Sequence, residues 1–161
     1  MEMDDILYER FFQKGRYALM GIIAKENMRV QVQAADWKEA IRQAGGILEA
    51  AGSITSEYTE SMVQAVETFG PYIVMMPGFA IAHAAPAPSV LKTGMALLNL
   101  AEPVSFGSPN DPVKLMLCLA CVNSSDHVDA LQAIAMALDS DEVRDRLANA
   151  QTVDEMAEIL G

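Results

Sequence analysis

Hydrophobic and polar residues alternate with two different periods along the first half of the sequence. Residues 28–34 alternate one by one, which predicts a half-buried β-strand. Asp36 and Glu39 then form a capping-box pattern, so a helix is expected to follow. Its apolar residues recur at helical spacing up to a stop at Gly52: Trp37, Ala40, Ile41, Ala44, Ile47, Leu48 and Ala51.

A second helix is predicted from residue 55 or 56 to the breaker Gly70-Pro71. Its expected buried face contains Tyr58, Met62, Ala65, Val66 and Phe69. After it, short apolar runs separated by proline and glycine predict β-strands at residues 72–76, 79–83, 95–100 and 114–122. The last run, within VKLMLCLACV, is almost free of polar residues and is expected to be a central strand buried on both faces.

Three more helices are predicted in the remainder of the chain. The first follows Asn123–Asp126, the second begins at about Asp141, and the third is capped by Thr152 with Glu155. The inward face of the first is expected to carry Val128, Leu131, Ile134 and Leu138. The resulting order, β-α-α-β-β-β-β-α-α-α, predicts an α/β fold in which a mixed β-sheet is flanked by α-helices.

Residues 1–24 are expected to form a helical N-terminal extension, and residues 25–161 the folded domain. Ile6, Leu7, Phe11 and Phe12 could make one apolar face of the extension. Such a segment packs on its own domain or on a second copy of it, so a homodimer stays open. The start of the chain is acidic, unlike the basic start of a signal peptide, and no apolar stretch reaches the roughly 18 residues of a membrane span. A cytoplasmic protein is expected.

The chain has 161 residues, of which 52% are hydrophobic and 20% charged, as in a single globular domain. Its formal net charge of −11 argues against a nucleic-acid partner. Cys118 and Cys121 lie in an apolar run and would point to opposite faces of a strand, so buried, reduced thiols are expected rather than a redox pair. Two histidines and these cysteines make a poor metal site, and we expect neither a metal nor a cofactor.

One of the two histidines ends a predicted strand, and the other lies in the helix that follows a predicted strand. His83 is the last residue of the apolar strand predicted at residues 79–83 and precedes a proline-rich loop, which is where open α/β sheets place their ligands. His127 lies in the first turn of the helix that follows the central strand. From the residues alone, two structural histidines and a functional pair remain open alternatives.

A functional pair would suit phosphoryl transfer. An imidazole with a pKa near 6.5 is largely neutral at neutral pH and can attack phosphorus directly. A second imidazole and the N–H groups of a helix N-terminus could hold the phosphoryl oxygens. Glycine-rich phosphate loops, G-x-S-x-G elbows and H-E-x-x-H motifs do not occur in the sequence.

The sequence resembles the enzyme IIA proteins of the mannitol/fructose class of the bacterial phosphoenolpyruvate-dependent sugar phosphotransferase system. The resemblance runs from about Ile22 to the C-terminus and is nearest the L-ascorbate branch. Its first part is the run from Val66 to Val74, which includes Phe69-Gly70-Pro71-Tyr72, and then Pro77-Gly78-Phe79 up to His83. The later motifs follow in the family's order: Leu91-Lys92-Thr93-Gly94, Asn110-Asp111-Pro112-Val113 and Asp126-His127.

The resemblance implies that His83 accepts the phosphoryl group and that His127 lies beside it and stabilises that group. It implies the phosphocarrier protein HPr as donor, a cysteine of the cognate enzyme IIB as acceptor, and an indirect link to the membrane enzyme IIC. The substrate would be an ascorbate-like or pentitol-like sugar. A regulatory relative that acts by phosphorylation-dependent protein binding, and a binding module that has lost the relay, are the alternatives.

The sequence departs from the family pattern at two places. The family usually has Pro-His-Gly at the acceptor, whereas this chain has Ala82-His83-Ala84, so the following loop could bend differently. The mannitol branch carries an upstream arginine, and this chain has Glu67 in that area. Lys92 is the candidate for neutralising the phosphate in its place. An apolar docking surface is expected around the acceptor, from Phe79, Pro86, Pro88 and Val90.

Overall fold

The structure, a computed structural model, describes residues 23–161. The strands are β1 Met28–Val32, β2 Val74–Met76, β3 Phe79–Ala82, β4 Gly94–Val104 and β5 Val113–Ala120. The helices are α1 Trp37–Ala50, α2 Ser56–Phe69, α3 Ser124–Ala137, α4 Asp141–Ala148 and α5 Val153–Leu160. This order is the predicted one. The predicted helical extension lies almost wholly outside the described residues, and the apolar face around Ile6–Phe12 lies there entirely.

The five strands form one mixed sheet in the order β1-β4-β5-β3-β2. Strand β5 occupies the centre, parallel to β3 and antiparallel to β4. Strand β1 adds to β4 in parallel, and β2 returns against β3 as an antiparallel edge. From Leu115 to Ala120 every residue of β5 is buried, which confirms the central strand predicted from its unbroken apolar run.

Each face of the sheet is covered by its own hydrophobic core. Helices α1 and α2 pack on one face, with Met116, Cys118 and Ala120 of β5 beneath them. Helices α3, α4 and α5 cover the other face, where Leu115, Leu117 and Leu119 point, because successive strand residues alternate between faces. Cys118 and Cys121 are both buried, one in each core, as the sequence predicted.

Side-chain hydrogen bonds cap the starts of α1, α3, α4 and α5, where helices were predicted to begin. Asp36 Oδ1 accepts a hydrogen bond from the Glu39 amide at 2.8 Å, and Glu39 Oε2 accepts one from the Ala35 amide at 2.8 Å, which closes the first turn of α1. Helix α3 begins in the same way, since Asn123 Oδ1 accepts from the Asp126 amide at 2.8 Å. This cap fixes the start of α3 directly after the end of the central strand.

Two apolar residues predicted to face inward are exposed. Phe69, the last residue of α2, is 77% exposed, and Val128 in the second turn of α3 is 52% exposed. The prediction was wrong for both because apolar spacing on a helix does not distinguish a core from an accessible surface. Within residues 23–161, no helix has both the length and the apolar character needed to cross a membrane.

Candidate functional site

His83 directly follows the last residue of β3 and is 8% exposed. Its ring Nδ1 lies 2.6 Å from the carbonyl oxygen of Ile81. A carbonyl oxygen only accepts, so Nδ1 must carry the proton and donate it to this bond. The neutral ring therefore has its lone pair on Nε2, which has no hydrogen-bond partner in the described part of the chain. This tautomer leaves one nucleophilic nitrogen available.

His127 is brought to the same place by the parallel neighbour of β3. Strand β5 runs parallel to β3, and α3 starts just after it, so His127 lies beside the carboxyl ends of both strands. The two imidazole centroids are 5.2 Å apart and the ring planes are inclined by 53°. His127 Nδ1 is buried and has no hydrogen-bond partner among residues 23–161.

Burial keeps both imidazoles in their neutral form. Removal from water lowers the pKa of His83 below 6.5, and the neighbouring His127 lowers it further, while the Ile81 carbonyl acts in the opposite direction. Burial also lowers the pKa of His127. Both rings are thus uncharged at neutral pH, which is the state that attacks an electrophile.

The two rings open into a cavity of about 460 Å³. Its lining consists of Ala65, Phe69, Tyr72, His83, Ala84, Ala85, Pro86, Ser124, His127 and Val128. None of these residues carries an acidic or a basic side chain other than imidazole. The N-terminus of α3 faces the cavity through Ser124, and it places the positive end of the helix dipole beside the histidines.

Two tyrosine hydroxyls contact the backbone on either side of the acceptor. Tyr72 donates a hydrogen bond to the carbonyl oxygen of His83 at 2.8 Å, and its ring meets the imidazole edge to face with centroids 5.1 Å apart. Tyr58 is fully buried and accepts from the Ala84 amide at 3.0 Å. Among the described non-glycine residues, a positive φ occurs only at Gln31, so Ala84 stands here without left-handed strain.

Two predicted neighbours of the acceptor, Lys92 and Phe79, lie elsewhere. Lys92 lines a different cavity together with Arg29. Glu67, in the area where the mannitol branch has its arginine, forms an ion pair with Lys38. Phe79 is 0% exposed at the start of β3 and belongs to the core, so it offers no docking surface. Spacing along the chain could not reveal this, because Phe79 and His83 lie at opposite ends of the same strand.

Val90 is also buried, while Pro86 does line the cavity. The accessible apolar surface is instead made by Phe69, Tyr72 and Val128, which the sequence analysis did not propose as a surface. The signal available in the sequence was the Phe69-Gly70-Pro71-Tyr72 run, since Gly70 and Pro71 end α2 directly after Phe69.

Comparison with known proteins shows the family to which this chain belongs. The family model described as "Phosphoenolpyruvate-dependent sugar phosphotransferase system, EIIA 2" matches residues 21–161. The chain belongs to this family. It is 32% identical over 137 residues to the "Ascorbate-specific PTS system EIIA component" of Escherichia coli K12, a match that covers 84% of the chain and 89% of that relative. The predicted family, near the ascorbate branch, is thereby confirmed.

Solved EIIA structures share the fold. The crystal structure of mannitol IIA from Escherichia coli superposes with a TM-score of 0.77 at 32% identity, over 86% of this chain and 99% of that one. A complex of mannitol IIA with phosphorylated mannitol IIB, also from Escherichia coli, contains a chain that matches with a TM-score of 0.77 at 31% identity, over 86% and 96% of the two chains. This chain is therefore a phosphotransferase component with the predicted mixed α/β fold.

Proposed function

We propose that His83 accepts a phosphoryl group from phospho-HPr in the cytoplasm and that the protein passes it to a cysteine of its cognate IIB. The relay would serve uptake of an ascorbate-like or pentitol-like sugar through a membrane IIC. One observation carries the proposal: a buried, neutral imidazole presents an unengaged Nε2 to a cavity that holds a second imidazole 5.2 Å away. The printed name of the ascorbate-specific relative supports the class of sugar.

The transfer consists of two displacements at phosphorus. In the first, the Nε2 lone pair of His83 forms a bond to phosphorus, and the bond from phosphorus to the donor atom of phospho-HPr breaks with its electron pair. In the second, the thiolate sulfur of IIB attacks phosphorus and the bond to Nε2 breaks, which restores the neutral ring. The Nδ1–H···O bond to Ile81, 2.6 Å long, keeps the proton on Nδ1 throughout, so His83 needs no separate base.

Neutral donors would hold the phosphoryl oxygens in this site. The lining residues include no lysine or arginine, so the charge of the group has to be met by hydrogen bonds and dipoles. The ring of His127 and the N-terminal turn of α3 supply both beside Nε2. We assign His127 the role of phosphoryl stabiliser, since a ring held on the same helix terminus is suited to donate rather than to attack.

The surroundings of the cavity suit partner proteins that close it. Phe69, Tyr72 and Val128 are 77%, 41% and 52% exposed around its mouth. A docked partner would cover these apolar side chains and exclude water from the transferring phosphoryl group. The mannitol IIA structure that resembles this chain is bound to phosphorylated IIB, which supports IIB as one partner.

The test is incubation of the purified protein with phosphoenolpyruvate, enzyme I and HPr. The wild type is expected to take up label that is lost in acid and kept in base, as for a phosphoramidate, and His83→Asn is expected to take up none. Addition of the cognate IIB should discharge the label. Labelling of His83→Asn to wild-type stoichiometry would refute the site. Label that stays on His83 with IIB present would favour the regulatory alternative.

A further inference from the structure

Two tyrosine hydroxyls hold the backbone of the acceptor from opposite sides of one peptide unit. Tyr72 Oη donates to the His83 carbonyl at 2.8 Å, and Tyr58 Oη accepts from the Ala84 amide at 3.0 Å. The carbonyl and the amide belong to the same peptide group, which links His83 to Ala84. This peptide lies just beyond β3, where the sheet no longer fixes the backbone.

Tyr58 ties that peptide to the central strand. Its hydroxyl lies 2.9 Å from the carbonyl oxygen of Leu119 in β5 and 3.1 Å from that of Ala84. One phenol has a single proton, so it donates to one of these oxygens while it accepts from the Ala84 amide. Burial raises the pKa of Tyr58, and the hydroxyl therefore stays protonated across the range in which the protein works.

Tyr72 restricts the imidazole as well as the backbone. Its ring meets that of His83 edge to face, with centroids 5.1 Å apart and planes at 89°. The Ile81 carbonyl engages one ring nitrogen, and His127 lies 5.2 Å from the centre of the ring. The direction in which Nε2 points is thus set by groups on β3, α3 and the turn before β2.

We infer that the hydroxyls of Tyr58 and Tyr72 are positioning residues for phosphoryl transfer, an inference that rests on the proposed relay through His83. They touch neither the phosphoryl group nor the partner's reacting atom; they act by holding the His83–Ala84 peptide so that Nδ1 meets the Ile81 carbonyl and Nε2 faces the cavity. In-line displacement requires that Nε2 be aligned with the bond that breaks at phosphorus. A nucleophile that is not held in this orientation reacts much more slowly.

Tyr72→Phe separates the hydroxyl from the ring. The variant keeps the edge-to-face contact and the apolar surface, and loses the hydrogen bond to the His83 carbonyl. The loss of one such bond in the transition state predicts a fall of about three- to tenfold in the limiting rate of phosphoryl acceptance. The HPr concentration at half-saturation is expected to stay unchanged, because the docking surface is the same. Tyr58→Phe should act in the same direction.

The second readout is the ¹⁵N spectrum of the His83 imidazole, which needs no partner protein. The wild type should show a single neutral tautomer with the proton on Nδ1, and Tyr72→Phe a mixture of tautomers. Thr59→Val is the matched control, since it removes a buried hydroxyl, bonded to Glu49 at 2.8 Å, one residue from Tyr58 on the same helix. This control should change neither the tautomer nor the limiting rate.

All rates and spectra are compared at a temperature below the melting point of each variant. A Tyr72→Phe protein with the wild-type tautomer and the wild-type limiting rate would overturn the inference. So would a rise in half-saturation alone, which would make Tyr72 a docking residue only. If Tyr58→Phe does not fold, the limiting rate and the tautomer of Tyr72→Phe alone decide whether the inference holds. A wild type that takes no phosphoryl group from HPr would refute the proposed function instead, while the tautomer would still report on positioning.

Discussion

The two ends of β3 open into cavities of opposite character. Before its first residue, Pro77 and Gly78 border a cavity of about 720 Å³ whose charged lining residues are Lys114, Asp141, Glu142, Arg144 and Asp145. After its last residue, His83 borders a cavity of about 460 Å³ that is mostly apolar. The first is larger and far richer in charge, so size and charge alone would select it as the functional site.

In the larger, charged cavity, the buried guanidinium of Arg144 already stabilises the fold. The guanidinium of Arg144, which is 6% exposed, donates to the carbonyl oxygens of Leu138 at 2.7 Å and Asp139 at 2.8 Å, and it pairs with Asp141. These bonds connect the end of α3 to the start of α4. Both terminal nitrogens of the guanidinium are thus engaged, and its buried Nε is the one nitrogen of the group without a partner within residues 23–161.

At the histidine end, hydrogen-bonding capacity remains unused. Within residues 23–161, His83 Nε2 has no partner, and neither has the buried Nδ1 of His127. Buried polar groups are nearly always satisfied in folded proteins, so the unpartnered Nδ1 of His127, on a ring whose centroid lies 5.2 Å from that of His83, points to a ligand. An unpartnered buried nitrogen occurs at both ends, but at the first it belongs to a cation held by the backbone and at the second to a neutral imidazole beside another imidazole. The comparison teaches that the chemistry of the accessible groups, rather than total charge, distinguishes a reactive site from a structural one.

The strongest test of this contrast is His127→Ala. The variant should still be phosphorylated on His83, but a lost donor at the transition state should slow transfer by about 10²–10³-fold. His127→Gln, which keeps a donor, should lose less. The rate of phosphoryl transfer and the melting temperature are measured on the same protein. A normal transfer rate together with a lowered melting temperature would give His127 a structural role only.

Arg144→Met tests the charged cavity at the other end of β3. The substitution fills a similar volume but leaves the buried carbonyl of Leu138 without its donor, which predicts a loss of about 2 kcal/mol in the free energy of unfolding. Transfer through His83 should be unchanged while the protein stays folded. Arg146→Met is the matched control, since Arg146 is exposed on the same helix. Slower transfer at unchanged stability would contradict the division between the two ends.

The fold was largely predictable because its elements carry strong local signals. The capping box at Asp36 and the unbroken apolar run of β5 each fixed the type and place of an element. That each histidine lies at or shortly after the end of a strand was also predicted from the sequence. Such signals depend on neighbouring residues, which sequence reasoning can assess. The parallel pairing of β3 with β5, which brings both strand ends to one edge of the sheet, is a finding of the structure.

The surroundings of His83 were less predictable because they depend on contacts between distant segments. The Tyr58 bond to the Ala84 amide spans 26 residues, and the exposure of Phe69 depends on where α2 ends relative to the core. Lys92 was the candidate to neutralise the phosphate in place of the family's arginine, yet it borders another cavity. Side-chain direction after a turn is set by tertiary packing, which no short pattern records.

The smallest expected effect is on the pH dependence of stability. Burial lowers the pKa of His83 and His127 below 6.5 in the folded chain, whereas the unfolded chain has the ordinary value. As the pH falls below about 6.5, the unfolded state therefore binds more protons than the folded state, and folding loses free energy. The contribution of the two histidines to the free energy of unfolding is complete above about pH 6.5. It declines as the pH falls towards the lowered pKa values of the folded state.

His83→Gln isolates the share of one ring in this pH dependence. Unfolding by urea is measured for wild type and variant between about pH 5.5 and 8, a range in which ordinary carboxylates stay ionised. The free energy of unfolding of the wild type should fall relative to that of the variant as the pH is lowered, because only the wild type has this imidazole to protonate on unfolding. A difference that stays constant over the range would mean that the His83 ring titrates alike in both states. The ring would then behave like an exposed surface histidine, and the contrast between the two ends of β3 would lose its electrostatic basis.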